Sequence, residues 1–315
     1  MKTVVLSAVL GLFLAACSPE VPFSELPKTD AALAQQYAEK SVAFGARFSG
    51  SPAIAAYADW IRETAAKSAR VTVSEHRFED ISPAGKMTFR NLIAEIPGRS
   101  REWVLIGCHY DAKKFLSTPG FQAANDGASG VAALLAMIRS FDQYPGKPPF
   151  TLRFVFFDGE ECLYNYTDND GLHGSRALAE KYERSGELKN CRAMILLDMI
   201  GDRDLNLTLP ANSSPALADV LTRIIRQRFP TLRFEKLSYD MLDDHVPFFR
   251  RGVPSIDLID FQYGPANSNW HTAGDTLENI SAQSICTVAD LTFALIWNLP
   301  PRRASSSAGN RQDEL

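Results

Sequence analysis

The stretch that most constrains this chain is an apolar run ending in two adjacent carboxylates. Thr151-Leu152-Arg153-Phe154-Val155 leads into Phe156-Phe157-Asp158-Gly159-Glu160-Glu161 and is bounded upstream by Gly146 and Pro148-Pro149. Continuous apolar and β-branched residues over this length suit a strand buried on both faces. On extended backbone neighbouring side chains point to opposite sides, so Glu160 and Glu161 can take two different tasks. The ends of such strands are where open α/β sheets bind their ligands. Alone, a Glu-Glu pair is most often a solvated acidic turn, so the weight falls on what else converges there.

Two further runs share the pattern. Trp103-Val104-Leu105-Ile106-Gly107-Cys108 leads into His109-Tyr110-Asp111, and Met194-Ile195-Leu196-Leu197 ends in Asp198. Shorter strands are expected at residues 71–73, 89–96, 205–209 and 255–259. Helices are expected at 31–44 behind the cap Asp30, and from Pro52 behind Ser51. Others are expected at 131–141, 174–183, 214–229 and 280–299. Alternating strands and helices predict one α/β domain over residues 30–300, a three-layer α/β/α sandwich around a central twisted, mostly parallel mixed sheet.

In that arrangement the strand ends gather at one sheet edge and bring His109, Asp111, Glu160, Glu161 and Asp198 together. Loops add Asp126, inside Asn125-Asp126-Gly127, the Asp243-Asp244 pair and His271. An acidic cluster is electrostatically costly without a cation, and imidazole with carboxylates is a ligand set suited to catalytic zinc. A single strand-end Asp is commonly a cap or turn residue. The set is more informative than any member, and composition alone does not choose the ligands.

The 315 residues carry a net charge of −4 and no basic block, which argues against a nucleic-acid partner. Residues 4–16 form an apolar run after Lys2, too short to span a bilayer and of the length of a signal-peptide core. Leu14-Ala15-Ala16-Cys17 resembles the bacterial lipobox. Residues 1–16 are therefore expected to be a lipoprotein signal peptide, with residues 17–29 a tether. The expected location is the bacterial envelope, at the outer membrane facing the periplasm, with membrane contact only through a lipid on Cys17. The remaining cysteines, Cys108, Cys162, Cys191 and Cys286, lie in apolar stretches without metal-type spacing and are expected as small buried residues. Residues 301–315 read as a disordered tail.

The motifs His109-Tyr110-Asp111, Asn125-Asp126-Gly127, Asp158-Gly159-Glu160-Glu161, Leu197-Asp198 and His271-Thr272 match, in order, those of the zinc-dependent aminopeptidase superfamily. A closer resemblance is to the animal-type glutaminyl cyclases. It rests on Gly107 to Asp111, Phe156 to Glu161, Gly174-Ser175-Arg176, Leu196 to Gly201, the long run from Asp243 to Pro254, and Trp270-His271-Thr272. The resemblance implies a zinc exopeptidase-like fold and one zinc held by Asp126, Glu161 and His271. It implies Glu160, Asp198 and Asp243 as the acid/base group, with Trp270 and Tyr166 walling the substrate pocket. The implied substrate is a peptide with N-terminal Gln, cyclised to pyroglutamate by a monomeric catalytic domain. The chain departs from those cyclases in four ways. A disulfide at the position of Cys108 lacks its partner near Val131, and Tyr166 stands where a Trp is found. Asp257 replaces a His, and residues 261–269 form a longer, more polar loop.

Two rival readings follow. A two-zinc aminopeptidase shares every ligand, because His109 and Asp198 could complete a second site with Asp126. A catalytically silent binding protein on the same fold is opposed by the intact Glu160, Asp126, Glu161 and His271.

Overall fold

A computed structural model of the chain describes residues 21–115 and 120–299. The expected signal peptide, Cys17 and the expected tail at residues 301–315 fall outside them. One eight-stranded sheet runs in the order β1-β2-β4-β3-β5-β8-β6-β7. The strands are β1 Thr72–Ser82, β2 Gly85–Ile96, β3 Ser100–His109, β4 Phe150–Phe157, β5 Cys191–Asp198, β6 Asn206–Leu209, β7 Arg233–Lys236 and β8 Ser255–Ile259. The centre, β4-β3-β5-β8, is parallel, while β1, β2 and the β6–β8 contact are antiparallel. The α/β fold with a mixed sheet is the one expected.

Period-two alternation serves two cores because both faces are covered. Val104, Ile106, Cys108, Phe154, Phe156, Ile195 and Leu197 point into one. Against them pack α1 (Ala31–Val42), α2 (Pro52–Ala65), α3 (Ala128–Ser140), α5 (Pro215–Arg228) and α7 (Ala282–Trp297). Trp103, Leu105, Val155, Phe157, Met194 and Leu196 point into the other, under α4 (His173–Arg184) and the short α6 (Val246–Phe249).

Local signals placed the helix starts. Asp30 accepts the N–H groups of Ala32 and Leu33 at 2.8 and 3.4 Å, and Ser51 Oγ accepts that of Ile54 at 3.1 Å ahead of Pro52. The small residues of α3 let it press onto the sheet. A Cβ added at Gly130 would lie 2.6 Å from Cys108 Cβ and 2.8 Å from the Leu197 carbonyl oxygen. Cys108, Cys162, Cys191 and Cys286 are all buried, as small apolar residues would be.

Three features differ from expectation. Residues 72–96 form a long hairpin rather than two short separate strands. Its outer strand β1 is mostly exposed or half-buried, so its sequence carries little apolar pattern. The four residues of β7, also at a sheet edge, are likewise poorly buried and gave no strand signal. Residues 21–29, read as part of a tether, lie against the domain. Leu26 is buried, Phe23 meets Phe229 edge to face at 5.5 Å, and Thr29 bonds Asp290 through its N–H and Oγ1 at 3.0 and 2.8 Å.

Candidate active site

The site forms where β3, β4, β5 and β8 end. The turn after β4 needs Gly159, whose φ is +73° and where a Cβ would sit 2.6 Å from the Phe89 ring. Asp111, just beyond β3, then fixes the turn. Its Oδ1 accepts the N–H groups of Gly159 and Glu160 at 3.0 and 3.1 Å, and its Oδ2 that of Glu161 at 3.1 Å. Three charge-assisted bonds to successive amides leave the two Glu side chains aimed and the backbone satisfied. Asp158 serves structure instead: it accepts the Arg90 N–H at 2.9 Å and Ser49 Oγ–H at 2.7 Å, tying β4 to β2.

Two candidate metal triads share Asp126. Asp126, Glu161 and His271 form one, and His109, Asp126 and Asp198 the other. His271 Nε2 lies 3.1 Å from Asp126 Oδ2 and 3.0 Å from Glu161 Oε1. His109 Nε2 lies 3.1 Å from Asp126 Oδ1 and 3.2 Å from Asp198 Oδ1. The donor set, nitrogen with carboxylate oxygens in a buried cluster, fits zinc. His109 strengthens that fit. Its Nδ1 faces the Asp111 carbonyl oxygen at 3.1 Å while Nε2 faces two carboxylates. Acceptors at both nitrogens require either an imidazolium or a cation at Nε2.

Electrostatics follow from burial and charge. Burial alone would lower both imidazoles. Bonds to Asp111, Asp126 and Asp198 instead hold His109 well above its ordinary value, and Asp126 with Glu161 raises His271 to about 10. Asp126 resists its own burial because His109 and His271 pull its carboxyl far below the usual range. Burial, then Asp126, raises Glu161, against the pull of His271 and Lys113. Lys113 Nζ sits 3.1 Å from Glu161 Oε2, on the oxygen turned away from His271.

Glu160 is 6% exposed. Burial pushes its carboxyl well above the ordinary range; His109 opposes this, and Glu161, Asp244 and Asp111 add to it. Tyr166 donates its O–H to Glu160 Oε1 at 2.9 Å. The loop carrying Tyr166 is held by Asp170, whose carboxylate accepts the N–H groups of Leu163, Tyr164 and Asn165 at 2.6, 2.9 and 3.1 Å. Asp243 is also raised, by burial and then by Asp257, Asp198 and Glu160.

Asp126, Glu160, Glu161, Tyr166, Asp198, Asp243, Trp270 and His271 all line one pocket of about 230 Å³. Every site residue expected from sequence is thus in or beside it, with His109 touching Asp126 and Asp198. Trp270 stacks on His271 with centroids 4.1 Å apart, and Phe261 meets Trp270 edge to face at 4.9 Å. His271 (φ +56°) and Met199 (φ +47°), next to Asp198, are non-glycine residues in the left-handed region. Such strain concentrates at sites where side-chain aim outweighs backbone comfort.

Sequence reading did not assign the supporting roles of Asp111, Lys113 and Asp275. Asp275 accepts the N–H groups of Asn125 and Asp126 at 2.7 and 3.2 Å and so fixes the residue that the two candidate triads share. Asp111 and Lys113 stand two and four residues after His109, and Asp275 four after His271. Asp111 also belongs to the strand-end cluster and motif read from sequence, whereas for Lys113 and Asp275 the short spacing is the signal the sequence offers.

Residues 91–296 match peptidase family M28. The glutaminyl-peptide cyclotransferase of Boiga irregularis is 30% identical over 255 residues, covering 70% of this chain and 68% of that relative. The crystal structure of Acidobacteriales bacterium glutaminyl cyclase is 34% identical with a TM-score of 0.81, covering 89% of this chain and 98% of that one. A Zn-dependent exopeptidase from Parabacteroides distasonis shares the fold. It is 24% identical with a TM-score of 0.73, over 87% of this chain and 99% of that one.

Proposed function

The chain belongs to peptidase family M28 and, within it, to the family of the glutaminyl-peptide cyclotransferases, and on that premise we propose that it converts N-terminal Gln of peptides to pyroglutamate with release of ammonia. The observation that carries the reading is the pocket itself. At about 230 Å³ it lies below the range of about 300–1,000 Å³ usual for larger ligands. It is walled by Trp270 and Tyr166, and Glu160 stands beside the triad of Asp126, Glu161 and His271. That suits one terminal residue presented to an acid/base group.

Asp126, Glu161 and His271 would hold one zinc ion, which when bound supplies a Lewis acid for the substrate's γ-carbonyl oxygen. The nucleophile is the substrate's own α-amine. Glu160 takes a proton from that amine and returns one to the departing ammonia. Its burial, which disfavours the charged form, suits a group that must both accept and release a proton near neutrality. Tyr166 holds the Glu160 carboxyl through its 2.9 Å bond. Asp198 and Asp243 line the same pocket beside Glu160 and complete the acid/base and hydrogen-bonding group. Trp270, braced by Phe261 and stacked on His271, packs on the substrate side chain. Lys113 holds Glu161 in place. Alignment of amine and carbonyl in a closed pocket supplies much of the rate.

One observation favours a second reading. His109, Asp126 and Asp198 form a triad of their own, so a two-zinc aminopeptidase is the alternative. Stripping the protein with a chelator and titrating zinc back, while following ammonia release from a Gln-peptide, tests the choice. Full activity at one equivalent supports the cyclase; a need for two, with release of free N-terminal residues, supports the peptidase.

The lipobox-like Leu14-Ala15-Ala16-Cys17 supports a lipid-anchored envelope protein, facing the periplasm from the outer membrane. Cys17→Ser should move the protein from the membrane to the soluble envelope fraction; continued membrane association would reject the anchor.

A further inference from the structure

Beside the small pocket lies a much larger groove of about 1030 Å³, formed by β1, α4, α6 and the loop of Tyr166. The two adjoin: Tyr166 and Leu242 line both. These two side chains are large, and Leu242 is 45% exposed and Tyr166 37%. They form the ground over which a chain leaving the pocket would pass into the groove.

The groove's charges are unequally matched. Its acidic residues Glu79, Asp80 and Glu180 are each paired, with Lys86 at 2.7 Å, with Arg176 at 3.9 Å and with Arg184. Lys181 on α4 and Arg250 at the end of α6 line the same groove. Neither has an ion-pair partner among the described residues, and nor does Asp168 at the rim.

We propose that this groove receives the downstream part of the substrate peptide, and that Lys181 and Arg250 select a carboxylate carried by the third or a later residue. The inference rests on the cyclase reading, which places residue one in the small pocket. Residue two then crosses Tyr166 and Leu242. An extended chain advances about 3.3 Å per residue, so residues three to five lie in the groove. The carboxylate can come from an acidic side chain or from the C-terminus of a short peptide.

The test measures kcat/KM at low ionic strength for Gln-Ala-Glu-Ala-amide, Gln-Ala-Gln-Ala-amide, Gln-Ala-Lys-Ala-amide, Gln-Ala-Ala-Ala as free acid and as amide, and Gln-Ala-amide. The expected result is a preference of about fivefold for peptides carrying a carboxylate over their neutral partners, the scale of an exposed ion pair. It should fade at high salt. In the double variant Lys181→Glu with Arg250→Glu the preference should turn towards the Lys peptide, while Gln-Ala-amide, too short to enter the groove, is cyclised as before. Preference for the Glu peptide alone assigns the carboxylate to the side chain; preference for the free acid alone assigns it to the C-terminus. Turnover of Gln-Ala-amide with no charge preference in the longer peptides, or a preference unchanged by the double variant, overturns the groove and leaves the cyclase reading standing. No turnover of any Gln-peptide overturns both.

Discussion

Replacing Asp111 by Asn should damage the site without touching a metal ligand or the acid/base group. The Asp111 carboxylate accepts three successive amides, two on Oδ1 and one on Oδ2. Asn keeps one oxygen and presents an NH₂ group to the third amide. Each charge-assisted bond is about twice as strong as its neutral counterpart, so the two retained bonds weaken by about 1 kcal/mol each. The buried Glu161 N–H, left facing a donor, costs about 1–3 kcal/mol. Loss of one negative charge near Asp158, Glu160 and Asp244, all of which feel Asp111, returns about 1–2 kcal/mol. The net cost is about 1–4 kcal/mol, or a factor of about 5–1,000 in an equilibrium that needs this turn. Urea denaturation should report the lost stability. Zinc competition and Gln-peptide turnover should report weaker metal binding and slower catalysis, since Glu160 and Glu161 ride on the same three amides. An unchanged denaturation midpoint with turnover within twofold of the parent would refute the argument that Asp111 sets the turn.

Three further outcomes are expected. Glu160→Gln keeps the shape that Tyr166 O–H holds and should retain zinc while losing activity by a factor of about 10² or more; near-parental turnover removes Glu160 from the mechanism. His271→Ala should lower zinc content by elemental analysis, and undiminished zinc would reject its role as a ligand. Asp244 is fully buried, and burial, against the pull of Ser175 and His109, raises its pKa to about 7 from 3.8. The folded state therefore binds this proton more tightly than the unfolded chain does. The stabilisation is complete below pH ~4 and lost as pH rises through about 7, with an upper scale of about 4 kcal/mol. Asp244→Asn should flatten the pH dependence of unfolding in that window, and an unaltered slope would contradict it.

The central strands were legible because they are buried on both faces. Residues 103–108, 151–157 and 194–197 read as strands from apolar continuity alone, and the polar residues that break each run mark where the sheet stops and the site begins. β1 was largely invisible for the converse reason: His76, Arg77, Glu79 and Asp80 meet solvent or other polar groups at an edge, so burial imposes no pattern. The candidate ligand residues could be named because their order and neighbours resemble those of a known family. Their aim could not be read. His271 reaches Asp126 and Glu161 from a left-handed backbone, and that conformation follows from the packing of Trp270 and the surrounding loop rather than from local propensity. The docking of residues 21–29 was equally hidden. It depends on two apolar anchors, Phe23 and Leu26, among prolines that suggest a free spacer.

The proposed activity is tested most directly by analysing both possible products of one reaction. The zinc-loaded protein is given a peptide with N-terminal Gln and, separately, one with N-terminal Leu. Ammonia, free amino acids and the masses of the remaining peptides are then measured together. The cyclase account predicts ammonia in equal amount to a Gln-peptide that has lost one ammonia and no residue, with the Leu-peptide untouched, and it predicts that a chelator abolishes the reaction. Free Leu or free Gln, with shortened peptides and no ammonia, would contradict it and assign the same triads to hydrolysis.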